Sequence, residues 1–576
     1  MRHNTIIGFV LLPILSLSLA SCNESEFLKE EALSFYTPSN SYVTESDFMS
    51  AVTTLYSQVR NNLWGTTYGG SPYFVSTDIA KDGRFQLNST RFGGHTVYCV
   101  PTNSVMKSTW DNWYKLVSNA NSIIDRAEGA SMSNASKKRF VAEAKFFRAF
   151  GYRFLVYLYG GVPLVLNEVT SPKTDYVRAS KQEVLNQMAD DLQEACAGLP
   201  DISSVEEGRV SNLVAYHLLA ETYISLGEYQ KAIDAATVVI NDPNTAIMTD
   251  RFGCMANQNP TDPDLKFTQE GDVFWDMYRA GNQSRSSGNK ESLWVCQFEV
   301  DTNGGLLASA GGWTINGQGA NLLERTAGPA YWGLYLDPDG KPGTLGFSQS
   351  TYMSGGAGVS LMMNTDWWLN DLWESDWDND IRNAPHNIVR DVVYNNPSSA
   401  YYGKSALEYV SPTQVAQPWR WYPFPSKITT PGQHPDDLFT DKSLLTLKGT
   451  AGSTYRDQYI FRLAETYLLR AEAYLDAGNA QKAAEDVNVV RERSKANPVA
   501  ASDVTLDYIL DERAREFVYE EPRRIILTRV GKLVERVRKY NELNSSEIQD
   551  YHELWPIPQS FIDANVSVTI EQNPGY

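Results

Sequence analysis

Trp313, Tyr331, Trp332, Tyr335 and Tyr352 lie in a stretch crowded with Gly, Asn, Asp and Pro, without helical or strand periodicity. A flat ring held on a loop can stack on the apolar C–H face of a cyclic ligand such as a sugar. Neighbouring amide, carboxylate or guanidinium groups then hydrogen-bond the ligand's hydroxyls. These five rings are therefore candidate binding residues. Six of the fourteen tryptophans fall between residues 311 and 377. Four of them, Trp367, Trp368, Trp373 and Trp377, sit in "DWWLNDLWESDWDNDIR", where Trp368–Leu372 and Trp373–Trp377 are neighbours on a helix, and are assigned to scaffold.

Other chemistries find less support. Asp376-x-Asp378-x-Asp380 resembles the start of a calcium loop, but Ile381 stands where the glycine is needed and the downstream glutamate is missing. "GGAGVS" (355–360) lacks the lysine of a phosphate-binding loop and reads as a mobile segment. No H-E-x-x-H or C-x-x-C occurs, so no metal, cofactor or catalytic residue is assigned. Cys99, Cys196, Cys254 and Cys296 are far apart and read as buried free thiols, with one disulfide as the alternative.

The elements that must position the loops are helical. "AETYISLGEYQKA" (220–232) and "AEAYLDAGNAQKA" (471–483) align without gaps and share seven of thirteen residues. Tyr216–Ala220–Tyr223–Ala232 and Tyr467–Ala471–Tyr474–Ala483 repeat the same steps of four, three and nine. Small alanines let a second helix approach, tyrosines fill the groove, and Gly227 and Gly478 supply the turn. This is the pattern of a tetratricopeptide-like repeat. Further helices are predicted over 110–128, 135–160 and 506–520, about four helix pairs in all. From about 241 to 455 periodicity fades and only short runs such as "SLWVCQFEV" (292–300) read as strands. The expected fold is mostly α: a helical repeat scaffold with a loop-rich, partly β insert. The expected division is a signal over 1–21, an N-terminal helical region over 22–240 with an insert at about 64–105, the loop-rich region over 241–455, and C-terminal repeat helices over 456–576.

At the front, Arg2 precedes an apolar run, Ile6 to Ala20, that is shorter than the roughly 18–20 residues of a membrane-spanning helix. It ends in Leu19-Ala20-Ser21-Cys22, which looks like a bacterial lipobox, with Cys22 as the lipidation site. Acyl chains there would anchor the chain at a membrane surface without spanning it. The formal charge of −19 disfavours phosphate backbones, so no nucleic acid partner is expected.

These features together resemble the SusD/RagB family of outer-membrane nutrient-binding lipoproteins. The resemblance rests on the lipobox, "WDNWYKLVSNANSII" (110–124), "AEAKFFRAFGYRFLVYLYGGVPLVL" (142–166), "RLAETYLLRAEAYL" (462–475), "ILDERAREFVYEEPRR" (509–524) and the ending "LWPIPQSFIDANVSVTIEQNPGY" (554–576). Glu521-Pro522 departs from the glycine usual there, and Glu512, Glu516 and Arg523 are expected to form structural ion pairs. The resemblance implies a non-enzymatic protein on the outer face of the outer membrane, capturing an oligosaccharide for a SusC-like TonB-dependent transporter. It also implies ligand contacts from residues 76–98, where Asp78, Arg84, Arg91 and Tyr98 are the candidates. A peptide ligand, a surface glycoside hydrolase with two carboxylates roughly 5–9.5 Å apart, and a pure interaction scaffold are the competing readings. Cys22→Ala is expected to move the protein from membrane to soluble fractions; retention of the variant in membranes would refute the lipobox.

Overall fold

The computed structural model describes residues 41–65, 70–84, 94–302, 305–306, 319–333 and 335–576. Cys22 lies outside them. Among the described residues no helix is long and apolar enough to cross a membrane.

Helix α1 (Glu45–Arg60) starts from a capping box in which Thr44 and Asp47 satisfy each other's backbone N–H groups. Helix α2 (Ser104–Arg126) is capped by Asn103, whose side chain accepts the Val105 and Met106 N–H groups. It buries Trp110, Trp113, Leu116, Val117, Ala120 and Ile123, the residues at helical spacing. Helix α3 (Asn134–Tyr159) packs against it. The two approach closely because Gly151 has no Cβ: one added there would lie 2.9 Å from Val117 Cγ2. Trp113 stacks on Phe154 across this contact, with ring centroids 3.9 Å apart.

The series continues through α4 (Lys181–Gly198), α5 (Asn212–Ser225), α6 (Tyr229–Ile240), α7 (Leu463–Asp476) and α8 (Ala480–Arg493), each packed on the one before. Helix α9 (Leu506–Glu516) returns against α7. The predicted turns hold: Gly227 and Gly478 sit at φ 75° and 80°, in the left-handed region that favours glycine. The step from α6 to α7 skips residues 241–462, so the repeat runs on as if the insert were absent. Arg470 Nη1 donates to Thr237 Oγ1 at 3.1 Å, and His217 Nδ1 lies 2.8 Å from Thr466 Oγ1, tying the two halves together.

The insert is built from short antiparallel pairs. Strand β1 (Ala80–Asp82) pairs with β3 (Met362–Asn364), with Ala80 opposite Asn364. Strand β2 (Ser292–Cys296) pairs with β4 (Gln458–Arg462), which runs directly into α7. The predicted run 292–300 is thus a strand over its first half. The four cysteines after Cys22 are free, and burial pushes Cys99 and Cys296 up to about 12. Cys254 is exposed, contrary to the expectation of burial.

Buried charge joins insert to scaffold. Arg462 pairs with Glu291, Glu516 and Glu520; Arg493 with Glu291 and Glu516; Arg382 with Asp380, Glu512 and Glu516. Asp376 pairs with Arg491. The neighbouring guanidiniums outweigh desolvation and hold Glu512 down at about 2. Helix α10 (Arg523–Arg529) and helix α11 (Leu533–Tyr540) supply a second knot, in which Arg523 and Arg536 clamp Asp78.

Glu516→Gln leaves three arginines short of a buried partner and should cost about 3–5 kcal/mol, read as a lower denaturant midpoint. Asp78 and Glu512, both depressed to about 2, bind fewer protons folded than unfolded. Their contribution is therefore complete above about pH 4 to 5 and lost as pH falls toward 2. Stability measured across that window should fall, and Asp78→Asn should flatten the fall.

Candidate functional site

Among the described residues, Trp332 is the one exposed ring of those predicted to bind. The residue is 48% exposed. Tyr331, Tyr335 and Tyr352 are buried, as are Asp78 and Tyr98. Trp313 and Arg91 lie outside the described residues.

The buried candidates have structural work. Tyr352 accepts the Trp275 indole N–H at 2.6 Å and packs on Phe267. Tyr331 donates to Asn395 Oδ1 at 3.4 Å. Tyr335 packs against Tyr394. Tyr98 sits edge-on to Trp555. Asp78 receives Arg523 and Arg536 at 2.6 Å each and has no surface left for a ligand. The common reason is that an insert with only short strands presents few regular apolar faces, so its core is filled by large rings from the loops. Aromatic residues in unpatterned sequence are thus mostly core here.

Trp332 stands on a braced pedestal. Ser360, held at φ 56°, donates its hydroxyl to the Trp419 carbonyl at 2.6 Å and accepts the Ala330 N–H at 2.8 Å. Ala330 N–H also reaches the Trp419 carbonyl, and Ser360 N–H the Gly328 carbonyl, both at 3.0 Å. The loops before Trp332 and before Arg420 are thereby fixed to one residue. Arg420 follows with its guanidinium 5.5 Å from the Trp332 ring centroid, a cation–π distance. Gly333 makes the room: a Cβ there would fall 1.2 Å from Arg420 Nη1. The predicted Arg84 joins this group, its Nε donating to the Val359 carbonyl at 2.5 Å.

The "GGAGVS" segment is the opposite of mobile. Residues 355–360 are all buried, and Gly358 lies so close to Gly328 that a Cβ would meet its carbonyl carbon at 2.2 Å. Glu324 beneath it accepts the Ala357 N–H at 2.9 Å and the Thr429 hydroxyl at 2.5 Å.

Three features escaped the sequence reading. Trp377, assigned to scaffold, is 43% exposed with the Arg390 guanidinium 4.7 Å from its ring, whereas Trp367, Trp368 and Trp373 are buried as expected. The helix turns break at Asn370 into a 3-10 stretch, which rotates Trp377 outward. Tyr401 and Tyr409 form a further ring pair, centroids 5.7 Å apart, beside the exposed Tyr402. The turn-rich "NNPSSAYYG" around them was the available signal. A cleft of about 480 Å³ lies between α1 and β2, with Arg60, Glu206, Glu207, Gln297 and Glu299 among its lining residues. Its Trp294 is buried, so it offers no platform of the Trp332 kind. No cluster of His, Cys, Asp and Glu suited to a metal occurs among the described residues.

The described residues form a helical-repeat scaffold that carries a loop-built insert with the exposed Trp332 on it. The sequence model described as the SusD family matches residues 290–576, and one described as starch-binding associating with outer membrane matches residues 37–224. The chain belongs to the SusD/RagB family. SusD-like protein P25 of Formosa agariphila is 24% identical over 98% of this chain and 97% of its own. Starch-binding protein SusD of Bacteroides thetaiotaomicron is 36% identical over 22% of this chain and 24% of its own. Among solved structures, a laminarin binding SusD-like protein has a TM-score of 0.65 at 24% identity, covering 93% of this chain and all of its own. Surface glycan-binding protein A from Bacteroides thetaiotaomicron, in complex with laminarihexaose, has a TM-score of 0.62 at 18% identity, covering 92% and 100%. These likenesses establish the mostly helical fold.

The two kinds of ring separate by stability. Tyr352→Ala should cost about 3–5 kcal/mol through its cavity and the orphaned Trp275 N–H. Trp332→Ala should leave the thermal midpoint within about 1 °C, since a surface substitution costs within roughly ±0.5 kcal/mol. A large drop for Trp332→Ala would make it a packing residue.

Proposed function

We propose that this protein captures an oligosaccharide at the cell surface and hands it to a SusC-like TonB-dependent outer-membrane transporter, without cleaving it. The observation that carries the reading is the Trp332 indole, open to solvent yet backed by Arg420 on a pedestal braced through Ser360. A sugar's C–H face stacks on such a ring, and Arg84 and Arg420 can donate to hydroxyls at its rim. Trp313 and Arg91 extend the proposed site, as their places in the sequence suggest. The relatives named for laminarin, laminarihexaose and starch lend support from the ligand side. The family description that mentions the outer membrane supports the location, and Cys22 is the proposed anchor.

A protein that must bind and then release needs modest affinity, a Kd of about 1 mM to 1 μM or roughly −4 to −8 kcal/mol. Losing the Trp332 stack should remove about 1–3 kcal/mol of that. Screening the soluble protein on a glycan array and then titrating Trp332→Ala by calorimetry against the best ligand tests this. Unchanged affinity moves the site elsewhere. A blank array with a positive peptide library replaces the ligand class.

A further inference from the structure

Trp332 and Trp377 are the exposed tryptophans among the described residues, and their mounts share a construction. Each ring is faced by a guanidinium: Arg420 lies 5.5 Å from the Trp332 centroid and Arg390 lies 4.7 Å from that of Trp377. Each guanidinium is held in turn by an amide side chain. Arg420 Nε donates to Gln417 Oε1, and Arg390 Nη2 donates to Asn383 Oδ1 at 2.6 Å and to the Leu369 carbonyl at 2.8 Å. Burial pulls both pKa values down, that of Arg390 to about 10, and no neighbouring charge opposes it. Drawing a guanidinium out of water without a close carboxylate costs free energy. The chain meets that cost at both of its exposed indoles, where it secures the orientation of a ring.

Trp377 is also fixed from both sides along the chain. Asp376 before it pairs with Arg491 of α8 at 2.7 Å and accepts the Asn497 N–H at 2.7 Å. Asp380 after it is clamped on Arg382 at 2.6 Å, and Arg382 reaches on to Glu512 and Glu516 of α9. The Trp377 carbonyl accepts from Asn383 Nδ2 at 2.7 Å. The indole therefore stands between two buried aspartates tied to the repeat helices. Beside it Glu374, Ser375, Asp378 and Asn379 are exposed. Lys495 is exposed on the adjoining turn, where the Ile381 N–H donates to the Ser494 carbonyl at 3.0 Å. Such groups accept from and donate to the hydroxyls of a ring stacked on an indole. None of the residues that brace Trp377 braces Trp332, so the two mounts are built independently.

We propose that Trp377, backed by Arg390, is a second saccharide-binding platform, in which one sugar ring stacks on the indole and Glu374, Asp378 and Asn379 receive its hydroxyls. The ligand class rests on the glycan-capture reading above; the site itself does not. Its consequence is bivalency. A polysaccharide that engages both platforms leaves only when both let go, so a polymer is retained beyond what either ring holds alone.

Affinity gels and calorimetry test it, with malto-, cello-, laminari- and xylo-hexaose and the matching polysaccharides as probes. Against the polymer that the wild type retains, Trp377→Ala and Trp332→Ala should each weaken retention at least about tenfold, and the double variant should abolish it. Trp377→Phe keeps a flat ring and should restore part of the loss. On the matching hexaose the wild type should show two sites per chain and Trp377→Ala one, with an unchanged thermal midpoint. A lowered midpoint for Trp377→Ala makes the indole a packing residue and overturns the proposal. Wild-type retention by Trp377→Ala, with none by Trp332→Ala, also overturns it and leaves capture at Trp332 standing. Loss in Trp377→Ala with wild-type binding by Trp332→Ala supports the Trp377 platform and overturns the one at Trp332. No binding of any probe by the wild type overturns both.

Discussion

Glu516 accepts from Arg382, Arg462 and Arg493 in a site closed to water, and the arrangement of the whole molecule turns on this meeting. Each partner comes from a different part of the chain. Arg382 belongs to the insert, Arg462 to the strand that leads out of it, Arg493 to the end of a repeat helix, and Glu516 to α9. A buried guanidinium without its carboxylate is costly, so no single member tolerates the absence of the others. The insert therefore docks in one place or not at all. Glu291 reinforces this by pairing with both Arg462 and Arg493 from the end of β2. The ion pairs are specific where apolar packing alone would permit sliding.

That fixity explains how loops with so little regular structure can hold a side chain at the surface. The repeat helices run on from α6 to α7, leaving the insert attached at both ends to the same helical base. Strand pairing of β1 with β3 then binds the early 76–84 segment to the same body. From there a short chain of contacts reaches outward: Glu324 to the glycine loop, Ser360 to the Ala330 and Trp419 backbones, and Arg420 to the Trp332 ring. Each step is a hydrogen bond or ring contact already made in the free protein. Little conformational freedom remains to be lost when a ligand arrives.

The scaffold was readable from the sequence because repetition states it twice. Tyr216–Ala220–Tyr223 and Tyr467–Ala471–Tyr474 impose a helical face regardless of what lies between, and both glycine turns follow. The ion-pair roles of Glu512, Glu516 and Arg523 were expected from the family resemblance of "ILDERAREFVYEEPRR", and the structure pairs all three. The site was less legible. Tyr331 and Trp332 are adjacent and similar, yet one is buried and the other open, because a loop lacks the fixed alternation that tells sides apart in a strand. Asp78 read as a loop carboxylate until α10 and α11, more than 440 residues later, brought Arg523 and Arg536 to it. Trp377 was misread in the other direction, since helical spacing was assumed across Asn370, where the helix ends.

The same physics sets the balance between grip and release. An open indole on a rigid mount offers one apolar face and buries only part of a bound ring, so stacking alone yields little free energy. What it lacks in area it recovers in preorganisation, since the ring, the guanidinium behind it and the backbone beneath are already in place. Such a surface gains affinity by addition: each further contact along an oligomer adds to the first without a closing motion in this chain. Short ligands would be held briefly and longer ones longer. If the proposed site is the binding site, an exposed platform on a braced base would discriminate by length as well as chemistry, which a closed pocket of fixed volume does not.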